Sequence, residues 1–169
     1  MTGVSVDWEA EYRSTYADLV RFLHRKVWDA DRAEDLAQET FVRALQHQPE
    51  DPRAFLFTIA ANLARDEARA AMRRKKHLEL IKVETSDRTA PDAEEGLEAR
   101  ERERAVRRAL ENLSERDRDV LLLWDAGLGY PEIARQTGLA VGAIGTTLAR
   151  ARQRLVEVYE AAEARDVAR

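Results

Sequence analysis

The chain has 169 residues, room for one domain or two small ones, with 44% hydrophobic and 36% charged residues and a formal net charge of -4. It has no cysteine, which excludes disulfides, Cys-ligated zinc and thiol chemistry. No run of about 18 apolar residues exists and the N-terminus lacks the basic-then-apolar order of a signal peptide, so a soluble, cytoplasmic chain without membrane insertion is expected.

The abundance of Ala, Leu, Arg and Glu favours helix throughout. Tyr12, Tyr16, Leu19, Val20, Leu23 and Val27 recur at helical spacing and predict a first amphipathic helix ending near Asp29. A second, about Ala33 to Gln46, buries Ala37, Phe41 and Ala44 and turns Asp35, Gln38, Glu39 and Val42 away from that line. Pro49 and Pro52 break it, and Pro52 suits the first turn of a third helix that reaches about Lys76 with Leu56, Ile59, Ala60 and Leu63 as its apolar line.

On that third helix Asn62, Arg65, Asp66, Arg69 and Arg73 stand at i, i+3, i+4, i+7 and i+11, one stripe about 120° round from the apolar line. Its arginines can hold phosphates, and Asn62 offers both donor and acceptor to a base edge. A solvated charged face accounts for the same spacing. From Gln46 to His77 seven Lys/Arg stand against four acids, ending in the wholly basic Arg73, Arg74, Lys75 and Lys76; from Leu78 to Arg104 nine acids stand against five bases. A basic block followed by an acidic connector predicts separate partners for separate segments, which the net charge conceals.

Glu84 to Gly96 is acidic and nearly without apolar residues, so it is expected to be a mobile linker. The expected division is a domain over 1–80, the linker over 81–97 and a second domain over 98–169. Beyond the linker a helix covers about Leu97 to Asn112. Ser114 then caps the next, with Asp117 three residues on, Val120, Leu121 and Trp124 lining it and Gly127 ending it. Two further helices are predicted over about Tyr130 to Thr137 and Val141 to Glu160, and no strand alternation is present. The expected fold class is all-α: two small helical domains joined by a flexible acidic linker.

The run YPEIARQTGLAVGAI, Tyr130 to Ile144, reads as a helix-turn-helix. Ala134 is small where two helices cross, Gly138 supplies a left-handed turn, and Ile133, Leu139, Ile144 and Leu148 fill the shared core. The second helix can lie in a major groove with Arg150, Arg152 and Arg154 near phosphates. A helical hairpin that only packs satisfies the same offsets. No Ser/His/Asp set or glycine-rich phosphate loop is present, and His24, His47 and His77 lack metal-ligand spacing, so neither an enzyme nor a cofactor is expected.

LSERDRDVLLLW, Leu113 to Trp124, followed by this helix-turn-helix resembles region four of bacterial sigma factors. LuxR-type regulators share a similar helix-turn-helix, but the first half of the chain separates the two. AEDLAQETFVRAL from Ala33 and IAANLARDEAR from Ile59 resemble sigma region two. Together the matches, which span roughly residues 10 to 157, make the chain similar to the small, two-domain extracytoplasmic-function sigma factors.

The resemblance implies a chain that binds core RNA polymerase and directs promoter-specific initiation. It implies docking on the clamp coiled coil of the largest subunit through Asp35, Leu36, Gln38, Glu39 and Val42, and a contact with the polymerase flap. It implies DNA contacts at Asn62, Arg65, Asp66, Arg69, Arg73 and Arg74, and at Gly142, Thr146, Arg150 and Arg152. An anti-sigma factor is an expected partner. The resemblance also gives the acidic linker a role as a polyanion in the polymerase's RNA path; composition by itself gives a solvated tether.

The chain departs from the family pattern at Gly145 and Thr147, where the pattern carries cations, and at Ala140, where it carries a capping Ser. The loop HQPED from His47 is short and acidic. The distal contact is therefore expected to be weak, or to lean on Thr146, Arg150 and backbone amides. The remaining rivals are a helix-turn-helix regulator and a polymerase-binding protein with degenerate promoter recognition.

Overall fold

The computed structural model describes residues 4–81 and 96–169. Among these every regular element is an α-helix, and the chain divides into two compact units, Met1–Glu84 and Thr85–Arg169. The acidic stretch expected to form the linker lies almost wholly outside the described residues.

The first unit holds α1 (Trp8–Val27), α2 (Ala30–Ala44) and α3 (Pro52–Ile81), each packed on the other two. Local chemistry sets the ends. Asp7 and Asp29 accept from the amides of Ala10 and Arg32 and so cap α1 and α2. Between those helices Trp28 takes a left-handed backbone, φ 56°, and its amide bonds the His24 carbonyl. Only Trp28 and Asp29 therefore separate α1 from α2, which begins three residues earlier than periodicity predicts. Asp51 accepts from the Ala54 amide at 3.0 Å, so one of the two acids in the short loop is engaged in starting α3.

Leu19, Phe22 and Leu23 meet Ala33, Ala37 and Ala44 of α2 and Leu56, Phe57, Ala60 and Leu63 of α3 in a closed core. Small residues on α2 let the helices approach, and Phe22 and Phe57 fill the centre edge to face at 5.4 Å. Phe57 is thus a core residue, while Phe55 stays partly exposed beside His47. Tyr12, expected in the apolar line of the first helix, lies at the surface, stacked on Tyr16 at 4.7 Å and edge-on to Phe41 at 4.9 Å.

The second unit holds α4 (Gly96–Glu111), α5 (Glu115–Asp125), α6 (Tyr130–Thr137) and α7 (Val141–Val167). α7 packs on α4, α5 and α6, and α5 also packs on α6. Ser114 caps α5 through the Asp117 amide at 3.1 Å. Gly127, φ 88°, and Gly138, φ 72°, take the left-handed conformations that end α5 and α6. Ala109, Leu110, Val120, Leu123, Ile133, Ala134, Ile144, Leu148 and Ala151 are buried. Trp124, expected to line α5, is 37% exposed, with Tyr130 of α6 packed against its ring.

Candidate polymerase and promoter interfaces

On α2 the positions 35, 38, 39 and 42 follow an i, i+3, i+4, i+7 line, and all four side chains are exposed, Val42 to 64%. Leu36 does not join them. Its side chain is 2% exposed and belongs to the core, since residue 36 lies about 100° from residue 35 around the helix and faces inward. The surface is edged by two cations of its own helix: Arg32 reaches Asp35 at 3.6 Å and Arg43 reaches Glu39 at 2.6 Å. Leu45, the C-cap of α2, and Tyr12 of α1 are also exposed apolar side chains of this unit. Periodicity placed Tyr12 in the apolar line of the first helix; its packing on Tyr16 and Phe41 at the surface shows that it leaves the core.

On α3 Asn62, Asp66, Arg69 and Arg73 are exposed and Arg65 is partly so. Among the described residues Arg65, Arg69 and Arg73 have no carboxylate partner, whereas Arg32, Arg43 and Arg53 of the same unit each hold one. Arg74 lies off this stripe, near Glu67 at 3.7 Å. Glu67 is itself gripped from α2 by Arg32, whose Nε and Nη2 donate to its two oxygens at 3.1 and 2.8 Å. The hydrogen bond from Arg32 holds the Glu67 carboxyl below the usual carboxylate range; partial burial opposes this, and the charges of Arg32 and Arg74 add to it. This fork ties α2 to α3, and sequence pattern had no means of pairing residues 35 positions apart.

In the helix-turn-helix, α7 exposes Val141, Gly142, Thr146, Ala149 and Arg150. Ala140 caps it without a side-chain bond, so its first amides have no side-chain acceptor at the N-cap. Thr147 is 6% exposed, which corrects the expectation that it stands where a DNA-facing cation would. It lies on the same inward line as Ile144, Leu148 and Ala151. Gly145 is partly covered by Tyr130 of α6. The arginines are engaged within the unit: Arg150 donates to Asp117 at 3.2 Å, and the Arg152 guanidinium lies 5.7 Å from the Trp124 ring centroid. They occupy opposite flanks of the buried line through Leu148 and Ala151, and Arg154, two residues further on, is exposed.

Sigma-70 region 2 matches residues 12–74, and Sigma-70, region 4 matches residues 103–155. The ferric citrate uptake sigma factor FecI of Escherichia coli is 31% identical over 155 residues, covering 89% of each chain. The ECF RNA polymerase sigma factor EcfG of Rhodopseudomonas palustris is 36% identical over 133 residues, covering 75% of this chain and 71% of its own. This chain belongs to the extracytoplasmic-function sigma factors. The sigma factor RpoE of Bartonella quintana, solved with the anti-sigma factor NepR, superposes with a TM-score of 0.68 at 27% identity, covering 91% of this chain and 97% of its own.

A sigma factor of this kind binds core RNA polymerase and promoter DNA and directs promoter-specific initiation. Nucleotidyl transfer is the polymerase's chemistry, so this chain is not itself an enzyme. An isolated helix-turn-helix regulator is disfavoured because region 2 occupies the first unit, and loss of promoter recognition is disfavoured because regions 2 and 4 are both present. Among the described residues no helix is long and apolar enough to cross a membrane.

Proposed function

We propose that the first unit docks on the clamp coiled coil of the polymerase's largest subunit through Asp35, Gln38, Glu39 and Val42, with Leu36 shaping that ridge from beneath. The α3 stripe then meets the upstream promoter element: Asn62 reads an unpaired or distorted base, Arg65, Arg69 and Arg73 hold phosphates, and Asp66 and Arg74 border them. The observation that carries this reading is the set of outward arginines on α3 without carboxylate partners among the described residues. Uncompensated cations on one helix face supply the counterion-releasing contacts that dominate binding to DNA.

The second unit reads the distal element with α7 in the major groove, through Gly142, Thr146, Arg150 and Arg152, and meets the polymerase flap. The boundaries are a first domain over 1–80, a tether over 81–97 and a second domain over 98–169. The protein works in the cytoplasm. An anti-sigma factor restrains it by covering the α2 surface, as the Bartonella relative's complex with NepR encourages.

The test is transcription from a defined promoter with purified core enzyme, paired with a core-binding titration. The Asp35→Lys, Glu39→Lys double variant is expected to weaken core binding at least tenfold, with the far-ultraviolet dichroism of the wild type retained. Unchanged core affinity would remove the α2 surface from the polymerase interface.

A further inference from the structure

We propose that Arg32 and Glu67 are positioning residues that release Arg74 to promoter DNA when the polymerase engages Asp35. The inference rests on the reading of the α2 line as the polymerase surface and of α3 as the DNA-facing helix, and adds a physical link between the two.

Four charged side chains of alternating sign form an unbroken series across the first unit. Asp35, on the exposed line of α2, meets Arg32 one turn earlier at 3.6 Å. Arg32 crosses to α3 and grips Glu67 through Nε and Nη2, at 3.1 and 2.8 Å. Glu67 in turn meets Arg74 at 3.7 Å. Residues 67 and 74 are two turns apart on one side of α3, and an arginine side chain leans toward the N-terminus of its helix, so Arg74 reaches back to the carboxylate. One end of the series is thus the docking line, and the other is the basic run that begins at Arg73.

Arg74 differs from the other arginines of this part of α3. Of Arg65, Arg69, Arg73 and Arg74, only Arg74 has a carboxylate partner among the described residues. Its pairing is loose, 3.7 Å against 2.8 Å for Arg32 on the same carboxylate, and its side chain is 67% exposed. An exposed pair of this kind contributes at most about 1 kcal/mol. A small redistribution of charge at Glu67 therefore decides whether the guanidinium stays or leaves.

Arg32 sets that distribution because it holds two carboxylates at once. Asp35 and Glu39 make the docking line acidic, so its complement is a cation. A cation at Asp35 takes that carboxylate from Arg32 and repels the guanidinium toward Glu67. Glu67, more fully neutralised by Arg32, then attracts Arg74 less and leaves it open to phosphate. The link is reciprocal: a phosphate on Arg74 leaves Glu67 to Arg32 and Asp35 to the polymerase.

The experiment is a double-mutant cycle on the full chain without polymerase, read as affinity for a duplex of random sequence at low salt. Asp35→Asn imitates the engaged Asp35 and leaves the fork between Arg32 and Glu67 in place. Its gain in duplex affinity is expected to be about two- to fivefold larger with Arg74 present than in an Arg74→Ala background. Glu39→Gln removes the same charge from the same line but has Arg43 as its partner, so its effect should be equal in both backgrounds. Equal gains for Asp35→Asn in both backgrounds, or no measurable duplex binding by that variant, would overturn the link. So would an equally strong dependence on Arg74 for Glu39→Gln, which would assign the effect to the charge of the whole line. Arg69→Ala is the reference: a loss of affinity there beside equal Asp35→Asn gains defeats the link alone, whereas no change there removes α3 from nucleic acid and takes the underlying reading with it. In the holoenzyme, Arg74→Ala should flatten the log-log salt slope of promoter binding by about 0.9, the value of one phosphate contact. An unchanged slope would overturn the release of Arg74.

Discussion

Arg69 and Arg73 on α3 stand without a carboxylate among the described residues, whereas Arg150 on α7 is held by Asp117 at 3.2 Å and Arg152 lies over the Trp124 ring. A free arginine presents its full charge but must be ordered when it meets a phosphate, and ordering a long side chain costs up to about 2 kcal/mol. A held arginine is already ordered, but its partner carboxylate cancels part of its field. On the proposed reading the two units would offer different kinds of grip on nucleic acid: one electrostatic and adaptable, the other positional. The first suits a strand that changes shape as it opens, and the second suits a rigid duplex.

Three experiments sharpen that contrast. The largest effect is expected from Arg69→Ala combined with Arg73→Ala, which should lower promoter affinity for many sequences alike and flatten the log-log salt slope by about 1.8, since each lost phosphate contact removes about 0.9. Arg150→Ala should flatten it by less than one such step, because Asp117 remains to repel phosphate. Filter binding of the holoenzyme over a salt series reads both, and equal slope changes per arginine on α3 and α7 would erase the distinction.

The second experiment concerns the fork that joins α2 to α3. Glu67→Gln should destabilise the first unit by about 1 kcal/mol at neutral pH, as expected for a partly exposed bidentate pair. Because the native Glu67 carboxyl is held below its ordinary range, chiefly by the hydrogen bond from Arg32, folding favours the ionised form. That stabilisation is fully present above the unfolded carboxylate pKa of about 4.3 and is lost as the pH falls through the lower native value. Urea unfolding at pH 7 and at pH 3 should therefore show a gap between wild type and variant that closes in acid. A gap of the same size at both pH values would mean that the charge on Glu67 is not what matters.

The smallest effect should come from Thr147→Val, which keeps the shape of a residue that is 6% exposed. Promoter affinity is expected to stay within about twofold of the wild type, because a buried side chain of α7 touches no DNA. A larger loss, with folding intact, would return residue 147 to the DNA-facing side.

Much of this molecule was legible before any coordinates. Asp7 and Asp29 were not singled out as caps, but Ser114, Gly127 and Gly138 were, and the last two take the left-handed backbones their positions demanded. These features are local: a cap, a turn or an amphipathic line is encoded within a few residues of itself. The outward lines of α2 and α3 were legible for the same reason, since residues three and four apart must share a helix face.

Side chains at the edge between two faces were the ones misread, Leu36 and Thr147 through the family resemblance and Tyr12 and Trp124 through periodicity. Leu36 belongs to the core and not to the docking line, Thr147 faces inward, and Tyr12 and Trp124 reach the surface. A helical wheel fixes the angle between residues of one helix. Which sector of the wheel is covered depends on how closely and at what crossing its neighbours approach, and those neighbours are remote in sequence. The Arg32 fork on Glu67, the Arg150 bond to Asp117 and the Tyr130 ring beside Gly145 have the same origin. Sequence by itself determined the helices, the ends marked by Ser114, Gly127 and Gly138, the family and the candidate faces, because each rests on short-range chemistry. Only the tertiary structure decided which arginines are free and which are held, because that depends on carboxylates and rings brought in by other helices.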